Sequence, residues 1–516
     1  MNGAHAVLRT LVANGVDTCF TNPGTSEMHF VAALDDVPQM RPILALFEGV
    51  VTGAADGYGR MHNRQPAATL LHLGPGLGNG LANLHNARRA RTPIVNIVGD
   101  HATYHQALDA PLASDIVGVA HNVSRWVRES KGPESVGADT SEAINQARRG
   151  GVATLILPAD ASWSDGAEVG PEAIAHVMFG GFEDSVEHAA KALRSAEPVA
   201  LLLGGQALSE RGLLAASRIA QATGARLICE TFPARLRRGA GLPTIDRLGY
   251  LAEFAVAQLQ DLRHLVLVDA KAPVSFFAYP NVPSVLTPEG CEVRELVSDG
   301  VLADGALEAL ADAVGAPADG AVLASANRPD RPSGPLNPET IANAIGALLP
   351  EGVIVSDEAN TAGLFVSGAT AGAPRHDWLT LTGGAIGQGM PVATGAAVAC
   401  PDRKVLNLQA DGSAMYTLQS LWTQARENLD VTTVVFNNRS YAILNLELSR
   451  VGARTDGNAA ELFDLSRPPL DFVALARGMG VDGTRAETAD EFVGALERAL
   501  AEPGPHLIDA ILPARL

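Results

Sequence analysis

Apolar positions gather into short runs, and the segments between them carry helix-like patterning. In the first third, runs at Thr18–Thr21 and residues 43–46, 68–71, 94–98 and 153–157 read as strands, with helices over 4–14 and from Gly49 onward. The pattern repeats with runs at Val199–Leu203, Arg226–Cys229 and His264–Val268, and again from residue 353. Strands alternating with helices predict parallel sheets. Residues 158–184 are rich in Gly, Pro and Ala, and 316–335 are Pro-rich and polar, so both read as linkers. The expectation is an α/β chain of three doubly wound parallel-sheet domains: 1–165, 185–320 and 335–516.

The stretch from Val405 to Tyr441 carries the chemistry. An apolar run, Val405–Ala410, breaks at Asp411-Gly412, a helix-like segment follows, and a second apolar run ends at Asn437-Asn438. This is a βαβ unit with parallel strands, and it sets Asp411 and Asn438 at carboxyl ends of strands, where open α/β sheets bind ligands. A carboxylate and an amide oxygen are hard ligands suited to Mg²⁺, which fills its octahedron with water and phosphate oxygens. The implied ligand is a diphosphate. Asp-Gly alone is ordinary turn chemistry and Asn-Asn ordinary capping; here both strand ends and the helix between them agree. The arrangement resembles the thiamine diphosphate motif of the 2-oxo-acid decarboxylase and acetolactate synthase superfamily, written GDG followed by NN, with Ala410 replacing the first glycine.

Composition narrows the rest. The chain has 516 residues, 47% of them hydrophobic, and a net charge of −19, which argues against nucleic acid and anionic membrane surfaces as partners. Basic clusters at 88–91 and 235–238 read as solvated faces or subunit contacts. No apolar run reaches the roughly 18 residues of a spanning helix, and the N-terminus reads as an amphipathic helix rather than a secretory signal. Cys19, Cys229, Cys291 and Cys400 are far apart without CxxC spacing, as expected of reduced thiols in a cytoplasm.

Other candidates lie earlier in the chain. Glu48 opens a Gly- and Ala-rich helix between Phe47 and Val50-Val51, an apolar setting that disfavours a bare charge. In the family the matching glutamate bonds the pyrimidine ring of the cofactor. Thr25 sits in a strand-to-helix loop, Thr21 to Glu27, which also reads as an N-cap with Thr25 or Ser26 capping and Glu27 in the first turn. The resemblance gives Thr25 the place of a serine that contacts the substrate carboxylate. His72 ends a strand before a Gly-rich run; a G-x-G-x-x-G fingerprint fails there because Asn79 and Leu81 stand where glycine is needed. The resemblance makes His72 a proton donor or acceptor, and puts Ala278 where benzoylformate decarboxylase has a second catalytic histidine. Gly204-Gly205 could cradle the FAD of acetolactate synthases or simply turn; nothing else supports flavin.

By the same resemblance, Asn360 and Thr361 reach phosphate oxygens, Gly384 offers a carbonyl to the cofactor's amino nitrogen, and Ile386 is the apolar wedge bending it. Asp411, Gly412, Ser413, Asn438 and Tyr441 complete the diphosphate site, with Asp411, Asn438 and Ser440 around Mg²⁺. The implied function is decarboxylation of a 2-oxo acid through an enamine. Acetolactate synthase-type carboligation and a non-catalytic thiamine diphosphate-fold subunit are the alternatives. Family architecture implies a homo-oligomer, dimer at least and tetrameric by expectation, with Glu48 and Asp411 of one site on different subunits.

Overall fold

The computed structural model describes residues 1–173, 181–298, 302–454 and 457–514. Its apolar runs form strands that pair in parallel, because a helix after nearly every strand returns the chain to the same edge. The N-terminal sheet has the order Arg41–Leu44, Thr18–Thr21, Ala67–Leu71, Ile94–Asp100, Val152–Pro158, Trp126–Glu129. Strand order reverses between Thr18–Thr21 and Ala67–Leu71, so the loops leaving these two strands flank a topological switch point. A second sheet runs Asp246–Arg247, Arg226–Cys229, Val199–Leu203, His264–Val268, Glu292–Val297. In the third, Asp482–Ala486, His506–Ile511, Val431–Asn437, Val405–Ala410 and Ile354–Glu358 lie side by side in parallel. The fold is therefore α/β with three parallel-dominated sheets.

The chain divides into two compact units. One holds Met1–Ala175, Arg328–Thr370 and Leu381–Leu516, and so contains the first sheet and the five parallel strands of the third. The other holds His176–Asn327 and Ala371–Thr380.

Several local expectations change. The strand expected at 43–46 is Arg41–Leu44, and edge strands Trp126–Glu129 and Glu292–Val297 form from segments whose charges interrupt the apolar run. The helix between Val405–Ala410 and Val431–Asn437 is two helices, Asp411–Ala414 and Ser420–Arg426. The expected linker 158–184 begins inside the strand Val152–Pro158, continues into the helix Ala159–Trp163 and ends in the helix Glu183–Leu193; its residues 174–180 lie outside the described residues. The basic cluster 235–238 is no solvated face. Arg235 and Arg237 grip the fully buried carboxylate of Asp377 at 2.7 and 2.8 Å, and Arg238 lies over the Trp378 ring. Among the described residues no helix is long and apolar enough to cross a membrane.

Small residues set how the first unit packs. The helix Glu48–Met61 is buried along its whole length and crosses the helix Gly389–Ala399 at backbone contact. A Cβ on Gly57 would come within 2.0 Å of the Val392 carbonyl oxygen, and one on Gly395 within 1.7 Å of the Ala54 carbonyl oxygen. No larger residue fits either position. We therefore expect Gly395→Ala to cost more than about 2 kcal/mol in denaturant unfolding, whereas Gly78→Ala, where a Cβ meets nothing within 4 Å, should stabilise by about 0.4–1 kcal/mol.

Candidate active site

Two clusters form at carboxyl ends of strands in the first unit. In the N-terminal cluster, the loop after Thr18–Thr21 makes a tight turn at Thr25–Glu27. Gly24 is its N-cap, and Glu27 reaches back to accept from the Gly24 backbone N–H at 2.9 Å. Neither Thr25 nor Ser26 caps it. Glu27, 3% exposed, also lies 2.8 Å from Nδ1 of His72, the residue following Ala67–Leu71. The Ser26 hydroxyl bonds Glu27 and lies 3.1 Å from the same His72 nitrogen. Gly24 packs so closely on the imidazole that a Cβ there would sit 2.2 Å from the ring. An ionised carboxylate only accepts, so Nδ1 carries the proton and Nε2 faces outward as an acceptor when the ring is neutral. Leu73 then starts the next helix in the left-handed region at φ 51°, a conformation costly for a leucine and held by its full burial.

Glu48 joins this cluster. It begins its helix, is buried, and accepts from the Asn79 side-chain amide at 3.0 Å. A Cβ on Gly76 would lie 3.3 Å from the His72 Cβ and 3.4 Å from Glu48 Oε1, so both residues border the same helix turn. Thr25 is exposed on the same turn; the hydroxyl that touches His72 is that of Ser26.

In the C-terminal cluster, Ala410 pairs with Phe436, which brings Asp411 and Asn438 onto neighbouring strand tips. Asp411 Oδ1 accepts from the Gly412 N–H at 2.8 Å, and Oδ2 from the Arg439 N–H at 2.6 Å. Arg439 is left-handed at φ 58°, which points its N–H at that carboxylate. Asn438 Oδ1 accepts from the Ser440 N–H at 3.0 Å, and the Tyr441 ring covers Gly412. Ser413 lies on the turn after Asp411 and donates to the Ala410 carbonyl. Gly384, at φ 75°, and the half-buried Ile386 belong to the loop before the helix Gly389–Ala399. Asn360, exposed and left-handed at φ 52°, and Thr361 start the turn after Ile354–Glu358.

Charge accounting distinguishes this cluster. Among the described residues five carboxylates are at most 2% exposed: Asp56, Glu358, Asp377, Asp411 and Asp509. Asp56, Asp377 and Asp509 have an arginine within 3.4 Å. Among the described residues Asp411 and Glu358 have no cationic side chain, and they end neighbouring strands. Burial pushes the Asp411 carboxyl up from its ordinary 3.8 to about 6, against the pull of its backbone donors. A buried acid without a counter-charge, beside an amide oxygen, is the donor set a hard divalent cation fits. In the second unit the Gly204-Gly205 loop does not fit a flavin pyrophosphate. The Gln206 N–H donates to Asp269 at 2.9 Å and the Glu230 carboxylate packs on Gly204, so carboxylates of the chain occupy the place a phosphate needs.

Sequence reading missed Ser26, Glu27, Asn79, Glu358 and Gln409 as site residues. Glu27 had a signal, an acid closing a turn that follows a strand; Asn79 had none, because only the packing of two helices brings it to Glu48.

A Glu27-bound imidazole and a buried Glu48 at one switch point, and an acid without a counter-charge at the tips of another sheet, are features of an enzyme site. Residues 1–122 match the family model of the thiamine pyrophosphate enzyme N-terminal TPP binding domain, and 365–510 that of the C-terminal TPP binding domain. The chain belongs to the thiamine pyrophosphate enzyme family. It is 60% identical over 517 residues to a Mycobacterium tuberculosis protein, IlvX, whose name places it provisionally among acetolactate synthase large subunits; the match covers 100% of this chain and 99% of that one. It is 30% identical to the benzoylformate decarboxylase of Pseudomonas aeruginosa, over 96% of each chain. The solved thiamine diphosphate-dependent 4-hydroxybenzoylformate decarboxylase of Rhodococcus jostii superposes with a TM-score of 0.84 at 25% identity, covering 100% of both chains.

The Glu27–His72 contact makes a spectroscopic prediction. With ¹⁵N-labelled histidine, neutral His72 should appear as the Nδ1–H tautomer, and Glu27→Gln should convert it to a mixture; an Nε2–H tautomer in the unsubstituted protein would contradict the contact.

Proposed function

We propose that the chain is a Mg²⁺-dependent enzyme that releases CO₂ from a 2-oxo acid and protonates the carbon left behind. The observation that carries this reading is the imidazole of His72, fixed through Nδ1 by buried Glu27 beside the helix turn that Glu48 also borders. A decarboxylase has to deliver a proton to carbon, and an oriented imidazole does so near neutral pH. Bound thiamine diphosphate supplies the carbon nucleophile and the electron sink. In this reading Asp411, Asn438 and Ser440 hold Mg²⁺, while Gly412, Ser413, Tyr441, Asn360 and Thr361 hold the diphosphate. Gly384 and Ile386 seat the rings. Glu48 exchanges a proton with the pyrimidine, its carboxylate aimed by Asn79. Thr25 and Ser26 offer hydroxyls to the substrate carboxylate. The working unit is a homodimer or a tetramer of the cytoplasm, in which one subunit's Glu48 meets another's Asp411.

A second reading is carboligation of two 2-oxo acids, where a second carbonyl takes the place of the proton. The name of the 60% identical relative favours it, as does Ala278 in the place of a second histidine.

Loading the protein with thiamine diphosphate and Mg²⁺ and offering pyruvate, benzoylformate and longer 2-oxo acids should yield CO₂ and an aldehyde in equal amounts. His72→Ala should lower turnover about 10²-fold, and adding Glu27→Gln should cost little more, because the two side chains act as one unit. Acetolactate from pyruvate would establish the second reading; no CO₂ from any acid with cofactor bound would refute both.

The acid Asp411 adds a pH dependence. Its folded-state pKa is raised from 3.8 to about 6, so the metal-free fold is favoured by this group at low pH, and that stability is lost as pH rises through the window. Mg²⁺ competes with that proton. The melting-temperature gain from Mg²⁺ with thiamine diphosphate should therefore grow from about pH 5 to about pH 7.5, and Asp411→Asn should abolish the growth.

A further inference from the structure

Glu358 closes the strand Ile354–Glu358 and, like Asp411, is at most 2% exposed with no cationic side chain beside it among the described residues. Its charge is met by dipoles instead. Oε1 accepts from the Gly387 N–H at 2.7 Å; Oε2 accepts from the Gly389 N–H at 2.6 Å and the Gln409 side-chain amide at 2.9 Å. Gly389 is the first residue of the helix Gly389–Ala399, so the carboxylate also faces that helix's positive end. Every donor is an N–H and none needs an acceptor in return. A glutamine there would turn an amide N–H₂ on one of these donors, and an aspartate would be one carbon too short to reach both sides.

The contacts of Glu358 lead to the ring-seating loop and the diphosphate turn of one proposed cofactor site, and to the helix whose Glu48 would serve the neighbouring site. Gly387 and Gly389 end the loop that carries Gly384 and Ile386. Between them Gln388 donates to Asp56 at 2.6 Å, on the helix that Glu48 begins. The Asn83 amide donates both to the Gly387 carbonyl, at 3.3 Å, and to the Gly49 carbonyl beside Glu48, at 2.7 Å. On the other side Gln409 donates to Ser413 as well, at 2.8 Å, on the turn of Asp411. We infer that Glu358 is a positioning residue. It locks the Gly384–Ile386 loop against the Asp411–Ser413 turn, so that ring and diphosphate contacts stand ready before the cofactor arrives. This inference rests on the proposed cofactor site.

The test is calorimetric titration of thiamine diphosphate at saturating Mg²⁺ into the cofactor-free protein, with melting temperatures measured in parallel. Losing buried bonds to a charged group should raise the dissociation constant of Glu358→Gln about tenfold or more, with Glu358→Asp between it and the unsubstituted protein. The cofactor-free melting temperature should fall by only a few degrees. A Glu358→Gln protein that binds within twofold of the unsubstituted one, whatever its melting temperature, overturns the inference and leaves a structural role alone. If Glu358→Gln does not fold, Gln409→Met removes the amide that bridges Glu358 to Ser413 and leaves the Gly387 and Gly389 donors in place. A weakening of about threefold then supports the inference, and none overturns it. Failure of the unsubstituted protein to bind thiamine diphosphate refutes the cofactor site itself, a result distinct from both.

Discussion

The structure depends on burying negative charge at the tips of two neighbouring strands without a cation beside it. A carboxylate removed from water is costly unless something repays the lost hydration. Among the described residues, the deeply buried Asp56, Asp377 and Asp509 each face an arginine, and Glu358 is met by backbone and side-chain N–H groups. Burial raises the carboxyl pKa of both Glu358 and Asp411, and that of Asp411, met by backbone donors alone, is pushed up to about 6. The debt is local and specific: a divalent cation bridging that carboxylate to a diphosphate would discharge it.

The rest of the first unit holds the loops around Asp411 in place and keeps Glu48 and His72 close to one another. Glycine-lined contact between Glu48–Met61 and Gly389–Ala399 ties the start of the helix bearing Glu48 to the helix that follows Ile386. The Asn83 and Gln388 amides repeat the tie with hydrogen bonds. Left-handed residues flank the chemistry at Leu73, Asn360 and Arg439, where the backbone is bent to aim a neighbouring group at the cost of local strain.

Much of this was legible in the residues. Strands Thr18–Thr21, Val199–Leu203, Arg226–Cys229, His264–Val268 and Val405–Ala410 are short, mostly apolar segments, and they form with the expected bounds. Asp411 and Asn438 could be read because a strand end fixes where the next residue lies. Other contacts were hidden because they depend on tertiary approach rather than local pattern. Glu27 read as an acid in the first turn, and only the fold of two separate loops brings it to His72. Arg235 and Arg237 read as surface charge until the strand Leu236–Arg238 paired with His376–Thr380 and brought them onto Asp377. Glu358 read as the end of a strand; its donors come from a loop some thirty residues later.

The most direct measurement is the anomalous difference map of crystals grown with thiamine diphosphate and Mn²⁺ in place of Mg²⁺. The account predicts one strong peak within about 2.3 Å of both an Asp411 carboxylate oxygen and Asn438 Oδ1, as a hard six-coordinate cation requires. A map with the cofactor visible and no peak there, or with the metal held elsewhere, would contradict it.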